Sequence, residues 1–337
     1  MKRYNVAVVG ATGLVGLEMI KILHERNFPI NELVLIASES SEGKKLKFGE
    51  EELNVQSYEE GIFSEIDIAL FSAGSVVSKK LAPIAAKSGT VVIDNSSAFR
   101  MHNDVPLVVP EVNADHIFEH EGIIANPNCS TIQMAIALNP IYRTTKIKRI
   151  VVSTYQAVSG SGKAAIEELT NQTMAVLDNE EIVREVYPHQ IAFNAIPHID
   201  VFEDNGFSKE EMKLIHETRK IFNDDSIKIN ATAVRIPVFK GHSESVYIET
   251  ESKIEVDEIK RILLETPGVK LVDELKTSKY PLAIMTKYYD EVLVGRIRKD
   301  LHVKNGISMW IVGDNLRKGA ALNAVQIAEK LIEKGLE

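Results

Sequence analysis

Two periodicities alternate along the first 125 residues. Short runs of apolar and β-branched residues fall at 4–9, 33–37, 66–71, 90–93 and 122–125 and predict strands, while 14–23 and 76–86 have helical spacing. In 14–23 the apolar positions are Leu14, Val15, Met19, Ile22 and Leu23, which gather on one side of a helix. Buried strands alternating with amphipathic helices predict a parallel sheet with crossover helices.

After Pro127 the pattern changes. A helix is expected over 130–138, stopped by Pro140, followed by a strand over 147–154. The later strand candidates, 231–238, 245–250, 292–297 and 307–312, are more amphipathic and are expected to pair antiparallel. The reading is an α/β domain over 1–128 and an α+β domain over 129–315, with a final helix over 316–337 packing back on the first. Internal repeats, low-complexity tracts and a Pro/Gly/Ser linker are absent from the sequence.

Charge narrows the partners. With 39 basic and 48 acidic side chains the net charge is −9, which repels polyanions at long range. Nucleic acid and anionic membrane are therefore not expected as partners, whereas a small anion held by a few focused cations is compatible. Lys2-Arg3 followed by Val6-Ala7-Val8-Val9 resembles the start of a signal peptide, but Gly10, Thr12, Gly13 and Gly16 interrupt it at once. A single cysteine, Cys129, precludes an internal disulfide and fits a reducing compartment, so a cytoplasmic location is expected.

The first strand runs straight into Gly10-Ala11-Thr12-Gly13-Leu14-Val15-Gly16 and then a helix. That placement brings backbone N–H groups and a helix dipole to a dinucleotide pyrophosphate. Where the second strand ends, an acidic residue selects NAD and cations select NADP. The stretch here is Ser38-Glu39-Ser40-Ser41 followed by Lys44 and Lys45, which leaves both cofactors open.

Asn126-Pro127-Asn128-Cys129-Ser130 ends a strand and opens a helix. A thiol at a helix N-terminus is shifted toward the nucleophilic thiolate. Its base is sought among nine histidines. His242 follows a strand and Gly241, His198 in Ile196-Pro197-His198 competes with it on local pattern, and His24, His116, His120 and His216 read as solvated surface. The stretch Ser159-Gly160-Ser161-Gly162-Lys163 lacks the earlier glycine of a Walker loop, and neither H-E-x-x-H nor a cysteine cluster is present to suggest a metal.

In order along the chain, Gly10-Ala11-Thr12-Gly13, Asn126 to Ser130, Tyr155-Gln156-Ala157-Val158-Ser159-Gly160, Glu210-Glu211-Met212-Lys213, Arg235 to His242 and Asp314-Asn315-Leu316-Arg317 resemble the bacterial aspartate-semialdehyde dehydrogenases. The resemblance implies an N-terminal Rossmann-like dinucleotide-binding domain and a C-terminal α+β catalytic and dimerisation domain. It implies NADPH-dependent reductive dephosphorylation of L-aspartyl 4-phosphate to L-aspartate 4-semialdehyde, on the route to lysine, threonine and methionine. By the same resemblance Cys129 is the nucleophile, His242 the acid/base, and Gln156 orients the substrate carbonyl. Arg235 clamps the α-carboxylate, Glu210 takes the α-ammonium, and Arg100 and Lys213 hold phosphate. Gly10, Thr12, Gly13, Leu14, Val15, Gly16, Ser40, Ser41, Ser159, Gly160 and Asn315 are assigned to the cofactor.

The resemblance also implies a homodimer taking inorganic phosphate. Ser40 stands where the family often has an arginine for the NADP 2′-phosphate, so use of NAD is also open. The rival readings are an N-acetyl-glutamyl-phosphate reductase and a non-catalytic dinucleotide sensor. The first is disfavoured by Asn128 and Ser130 beside the cysteine, the second by Cys129, His242, Gln156 and Arg235 together.

Overall fold

A computed structural model describes residues 2–333, which divide into two compact units. One comprises the chain up to Asn128 together with residues from Ala320 onward, and the other runs Cys129–Gly319.

The first unit holds β1 (Tyr4–Val9), α1 (Leu14–Glu25), β2 (Ile30–Ile36), β3 (Lys45–Phe48), β4 (Glu51–Gln56), β5 (Ile68–Phe71), α2 (Ser75–Lys87), β6 (Val91–Asp94), α3 (Pro110–Asn113) and β7 (Ile123–Ala125). Its seven strands lie in the order β3-β4-β2-β1-β5-β6-β7. All pairings are parallel except the β3–β4 hairpin, which the apolar pattern did not reveal because its residues alternate with lysine and glutamate. β5 and β6 are buried at every position, as strands covered on both faces require.

Buried polar side chains tie the loops after β6 and β7. Asp94 accepts from Ser78 Oγ at 2.7 Å and from the amide and hydroxyl of Ser96. Asn126 donates to Asn95 Oδ1 at 2.6 Å and accepts from Asn323 at 2.7 Å.

The second unit holds α4 (Cys129–Thr145), β8 (Ile147–Gln156), α5 (Lys163–Asp178), α6 (Lys209–Phe222), β9 (Lys228–Arg235), β10 (His242–Thr250), α7 (Val256–Leu264), β11 (Val269–Leu271), β12 (Val292–Lys299) and β13 (Gly306–Gly313). The sheet order is β11-β12-β13-β10-β8-β9. Two expectations are corrected here. β9 pairs parallel with β8, because the long α5–α6 excursion returns the chain to the same end of the sheet. α4 continues through Pro140 to Thr145, since its wholly buried middle is held by packing that offsets one lost backbone bond.

One face of this sheet is covered by α4 and α6. The other carries half-buried Val151, Tyr155, Tyr247 and Trp310, with the Tyr155 and Trp310 rings 5.4 Å apart.

The chain re-enters the first unit through a π-helical turn, Arg317–Ala321, followed by α8 (Leu322–Glu333). The final helix thus begins six residues later than expected, and the expected 334–337 portion lies outside the described residues. α8 buries Leu322, Val325, Ile327 and Leu331 in the same core as Met19 and Ile22 of α1. Among the described residues no helix is long and apolar enough to cross a membrane.

Glu244 is a carboxyl with no solvent exposure on the helix-covered face of β10. Burial pushes its pKa well above the usual carboxylate value of 4.5, against a smaller lowering by Ser130. Above about pH 4.5 the unfolded chain releases this proton while the folded chain keeps it, so stability falls as pH rises. Glu244→Gln removes that term. Its stability relative to wild type should rise between pH 5 and pH 8, with a limiting slope of about 1.4 kcal/mol per pH unit in denaturant titrations.

Candidate functional site

In the first unit, the loop between β1 and α1 leaves a cleft of about 720 Å³. Gly10, Thr12 and Gly13 line one side, Ser38, Glu39 and Ser40 another, and Ser72, Ala73 and Lys80 a third. Gly10 has φ +88°, and a Cβ there would sit 2.8 Å from the Ala73 nitrogen. A Cβ at Gly16 would collide with the Gly10 carbonyl, so the helix closes onto the loop only with glycine there.

No side chain caps α1 at Gly13, which leaves its first-turn amides to serve an anion. This uncapped, Cβ-free cradle fits the pyrophosphate of a dinucleotide. Leu14, Val15 and Gly16 shape the loop without lining the cleft. Ser41 is also not among the lining residues; it is buried and accepts from Lys44 Nζ at 3.1 Å. Lys80 was not singled out in the sequence, because an exposed lysine in a helical stretch carries no local signal of what it faces.

Arg100, also in this unit, is buried and donates to the carbonyls of Asn126 and Asn95 at 2.9 and 2.8 Å. These bonds fix its side chain beside the loop that the Asp94 carboxylate organises.

In the second unit, Cys129 is the first residue of α4. A Cβ on Gly319 would lie 2.9 Å from Cys129 Cβ, so the turn before α8 presses backbone directly against the cysteine. One turn on, Gln133 packs over Gly313, and Gly313 is the cross-strand partner of His242. α4 therefore carries its N-terminal cysteine over the end of β10 where His242 begins.

His242 has no solvent exposure. Its Nδ1 accepts from the Ala157 amide at 3.0 Å, which places the ring proton of the neutral form on Nε2, and Nε2 has no partner. Burial, then the nearby Arg235 charge, lowers its pKa to about 3 against a small opposing effect of Glu210.

Arg235 ends β9, is 4% exposed, and donates from Nη1 to the Ala157 carbonyl at 2.7 Å, while its buried Nε has no partner. A Cβ on Gly160 would fall 2.9 Å from Arg235 Nη1 and 3.4 Å from His242 Nε2. Glycine at 160 therefore lets the loop backbone come up against both groups without a Cβ displacing either.

Gln156, the last residue of β8, is 1% exposed. Its Nε2 donates to Glu210 Oε1 at 3.1 Å, and Lys213 reaches Glu210 Oε2 at 3.1 Å and Asp200 at 2.9 Å. Burial depresses the Lys213 pKa, but the two carboxylates outweigh it and raise the pKa overall, so the amine stays charged. Glu211, beside these residues, caps α6 with Ser208 and accepts the Ala233 amide.

Asn315 accepts the Gly241 amide at 2.9 Å and donates to Ser159 Oγ at 2.9 Å, tying the loops that flank His242. His198, the competing histidine, stacks on Phe202 with centroids 4.2 Å apart. His24 is exposed, as expected, and packs edge-on against Phe48, whereas half-buried His120 accepts the Gly122 amide and is structural rather than solvated.

The second unit thus holds a cysteine at a helix terminus, a neutral N–H donor, a buried guanidinium and an amide–carboxylate pair. That set suits attack on an activated carbonyl in a substrate carrying both charges.

Residues 5–120 match the family model "Semialdehyde dehydrogenase, NAD binding domain", and residues 138–318 match "Semialdehyde dehydrogenase, dimerisation domain". The chain is 59% identical over 337 residues to the aspartate-semialdehyde dehydrogenase of Aquifex aeolicus, covering 99% of both chains. It superposes with TM-score 0.97 at 51% identity on the crystal structure of aspartate semialdehyde dehydrogenase II from Vibrio cholerae complexed with ASA, with 100% of both chains covered. The Candida albicans enzyme with NADP aligns at TM-score 0.76 and 25% identity, covering 98% of each. With such identity sustained along the full length of both chains, the protein belongs to the aspartate-semialdehyde dehydrogenase family.

Proposed function

We propose that the protein reduces L-aspartyl 4-phosphate to L-aspartate 4-semialdehyde with NADPH through a thioester on Cys129, serving lysine, threonine and methionine synthesis as a homodimer in the cytoplasm. The observation that carries this reading is the convergence of His242 and Arg235 on the backbone at Ala157 and Gly160, with Gln156, bonded to Glu210, one residue before Ala157. The Vibrio cholerae relative solved with ASA supports the substrate. N-acetyl-glutamyl phosphate suits the site less well, because its acetylated nitrogen has no charge for Glu210.

The cysteine thiolate attacks the acyl carbon, the carbon–oxygen bond to phosphate breaks, and phosphate leaves with that bond's electron pair. When bound, the dinucleotide supplies the hydride that reduces the thioester carbonyl. The tetrahedral oxyanion then re-forms a C=O bond as the C–S bond breaks, returning thiolate and releasing aldehyde. Gln156 orients the carbonyl, Arg235 holds the α-carboxylate, Glu210 takes the α-ammonium, and Lys213 receives phosphate, with Arg100 of the first unit assigned to phosphate by the resemblance alone.

His242 begins as a neutral Nε2–H donor to the oxyanion, much as a neutral imidazole serves other carbonyl chemistries. A phosphate dianion counters the field of Arg235, raising the ring's proton affinity so that it acts as acid and base in the loaded site.

The dinucleotide's pyrophosphate lies at Gly10, Thr12 and Gly13 in this reading. Ser38, Ser40 and Lys80 receive the 2′-phosphate, Lys80 compensating for the arginine that Ser40 replaces. The half-buried aromatic face of the second unit's sheet is the surface that pairs two copies.

Given L-aspartate 4-semialdehyde, the purified protein should reduce NADP only when inorganic phosphate is present, and Cys129→Ala should abolish turnover. Phosphate-independent turnover, or activity surviving in the variant, removes the thioester reading. His242→Asn should lower kcat by roughly 10²–10³ at unchanged fold by circular dichroism. Lys80→Ala should lower the NADP-to-NAD ratio of kcat/KM about tenfold, some 1.4 kcal/mol, and a ratio that stays put excludes Lys80 from the 2′-phosphate.

A further inference from the structure

Between α5 and α6 the chain runs through residues 179–208 without a regular helix or strand, and the first part of this excursion is held by two buried side chains of α5. Glu168, 6% exposed, accepts the amide of Glu185 at 2.8 Å, the amide of Val186 at close range and that of Tyr187 at 3.4 Å. Gln172, 1% exposed, bonds Glu168 at 3.1 Å, accepts the Ile191 and Ala192 amides at 2.8 and 3.2 Å, and donates to the Val183 carbonyl at 2.9 Å. A buried carboxylate whose oxygens are taken by loop amides is an organising device, because breaking it strands both the charge and the amides.

The strap that these residues tie down reaches Arg235 twice. Ile196 pairs with the Arg235 backbone in both directions, at 2.9 and 2.8 Å. Between the two anchors, Tyr187 lies with its ring 6.0 Å below the guanidinium carbon, half-buried among exposed neighbours. A planar guanidinium over a tyrosine face loses rotational freedom and keeps its in-plane N–H groups free to fork onto a carboxylate. Arg235 itself spends Nη1 on Ala157 and keeps a buried, unpartnered Nε.

We infer that Tyr187, held by the Glu168–Gln172 strap, is a positioning residue that fixes the Arg235 guanidinium for a substrate α-carboxylate and so sets selectivity for carboxylate-bearing aldehydes. This rests on the reading of Arg235 as the carboxylate clamp. The ring face carries the effect; the phenol hydroxyl is not needed for it. The strap itself touches neither the nucleophile nor the imidazole in any bond described above, so its contribution belongs to substrate affinity rather than to the chemical step.

The test compares L-aspartate 4-semialdehyde with 3-aminopropanal, which lacks the carboxylate, as substrate or as competitive inhibitor, at saturating phosphate and NADP. Tyr187→Ala and Tyr187→Leu should raise KM for the semialdehyde about 5- to 20-fold, with kcat within about twofold. Both should leave the constant for 3-aminopropanal unchanged. Tyr187→Phe should behave as wild type, and Glu168→Gln should shift the semialdehyde KM in the same direction as Tyr187→Ala.

Equal losses for both aldehydes would mean that the ring serves only the fold, and no loss in Tyr187→Ala would mean that it serves nothing here; either overturns the inference. Arg235→Lys separates the two levels of the argument. If it abolishes the preference for the semialdehyde while Tyr187→Ala does not, the clamp stands and the positioning role falls. If it leaves the preference intact, the clamp reading itself falls.

Discussion

The hydrogen bond from the Ala157 amide to His242 Nδ1 carries more than its own share of the second unit's architecture. It joins the end of β8 to the start of β10, strands already paired in register through Ser243 and Tyr155. It decides which ring nitrogen bears the proton, and the carbonyl of the same residue anchors Arg235. The backbone of one residue thereby fixes an imidazole by its N–H and a guanidinium by its C=O. The loop that follows must then contain Gly160, since a Cβ there would press to 2.9 Å from Arg235 Nη1 and 3.4 Å from His242 Nε2.

Around this unit the buried polar groups are arranged in ties rather than in isolated pairs. Asn315 holds Gly241 on one side of His242 and Ser159 on the other, Glu211 caps α6 and grips β9, and Glu168 gathers three consecutive amides. Each replaces hydration that burial removed from backbone groups. In the first unit Asn126 does the same for loops that the chain visits far apart in sequence.

What could be read from the chain alone was what is local. Cys129 at a strand-to-helix junction and the glycines after β1 are recognisable because the motif and its chemistry occupy a few consecutive residues. The central strands of the first sheet, such as β5 and β6, were legible because burial on both faces leaves unbroken apolar runs, and the solvated β3–β4 hairpin was not. Pro140 misled because a lost backbone bond is local while the packing that outweighs it is not. The direction of β9 was hidden for a related reason, since amphipathic alternation is the same in parallel and antiparallel strands. Lys80 and Tyr187 left no mark at all: a lysine in a helical stretch and a tyrosine in an irregular segment acquire meaning only from what they face. Asn315 and Ser159 entered as cofactor residues through the resemblance, and their mutual bond, a tie between loops, left no mark in the sequence.

Having one cysteine in the whole chain, at the first residue of α4, leaves its thiol chemistry without an internal partner. Oxidation of Cys129 to a sulfenic acid finds no second thiol within the chain to resolve it as a disulfide. Recovery must come from a small thiol of the surroundings, and continued oxidation to the sulfinic acid is not reversed by thiols.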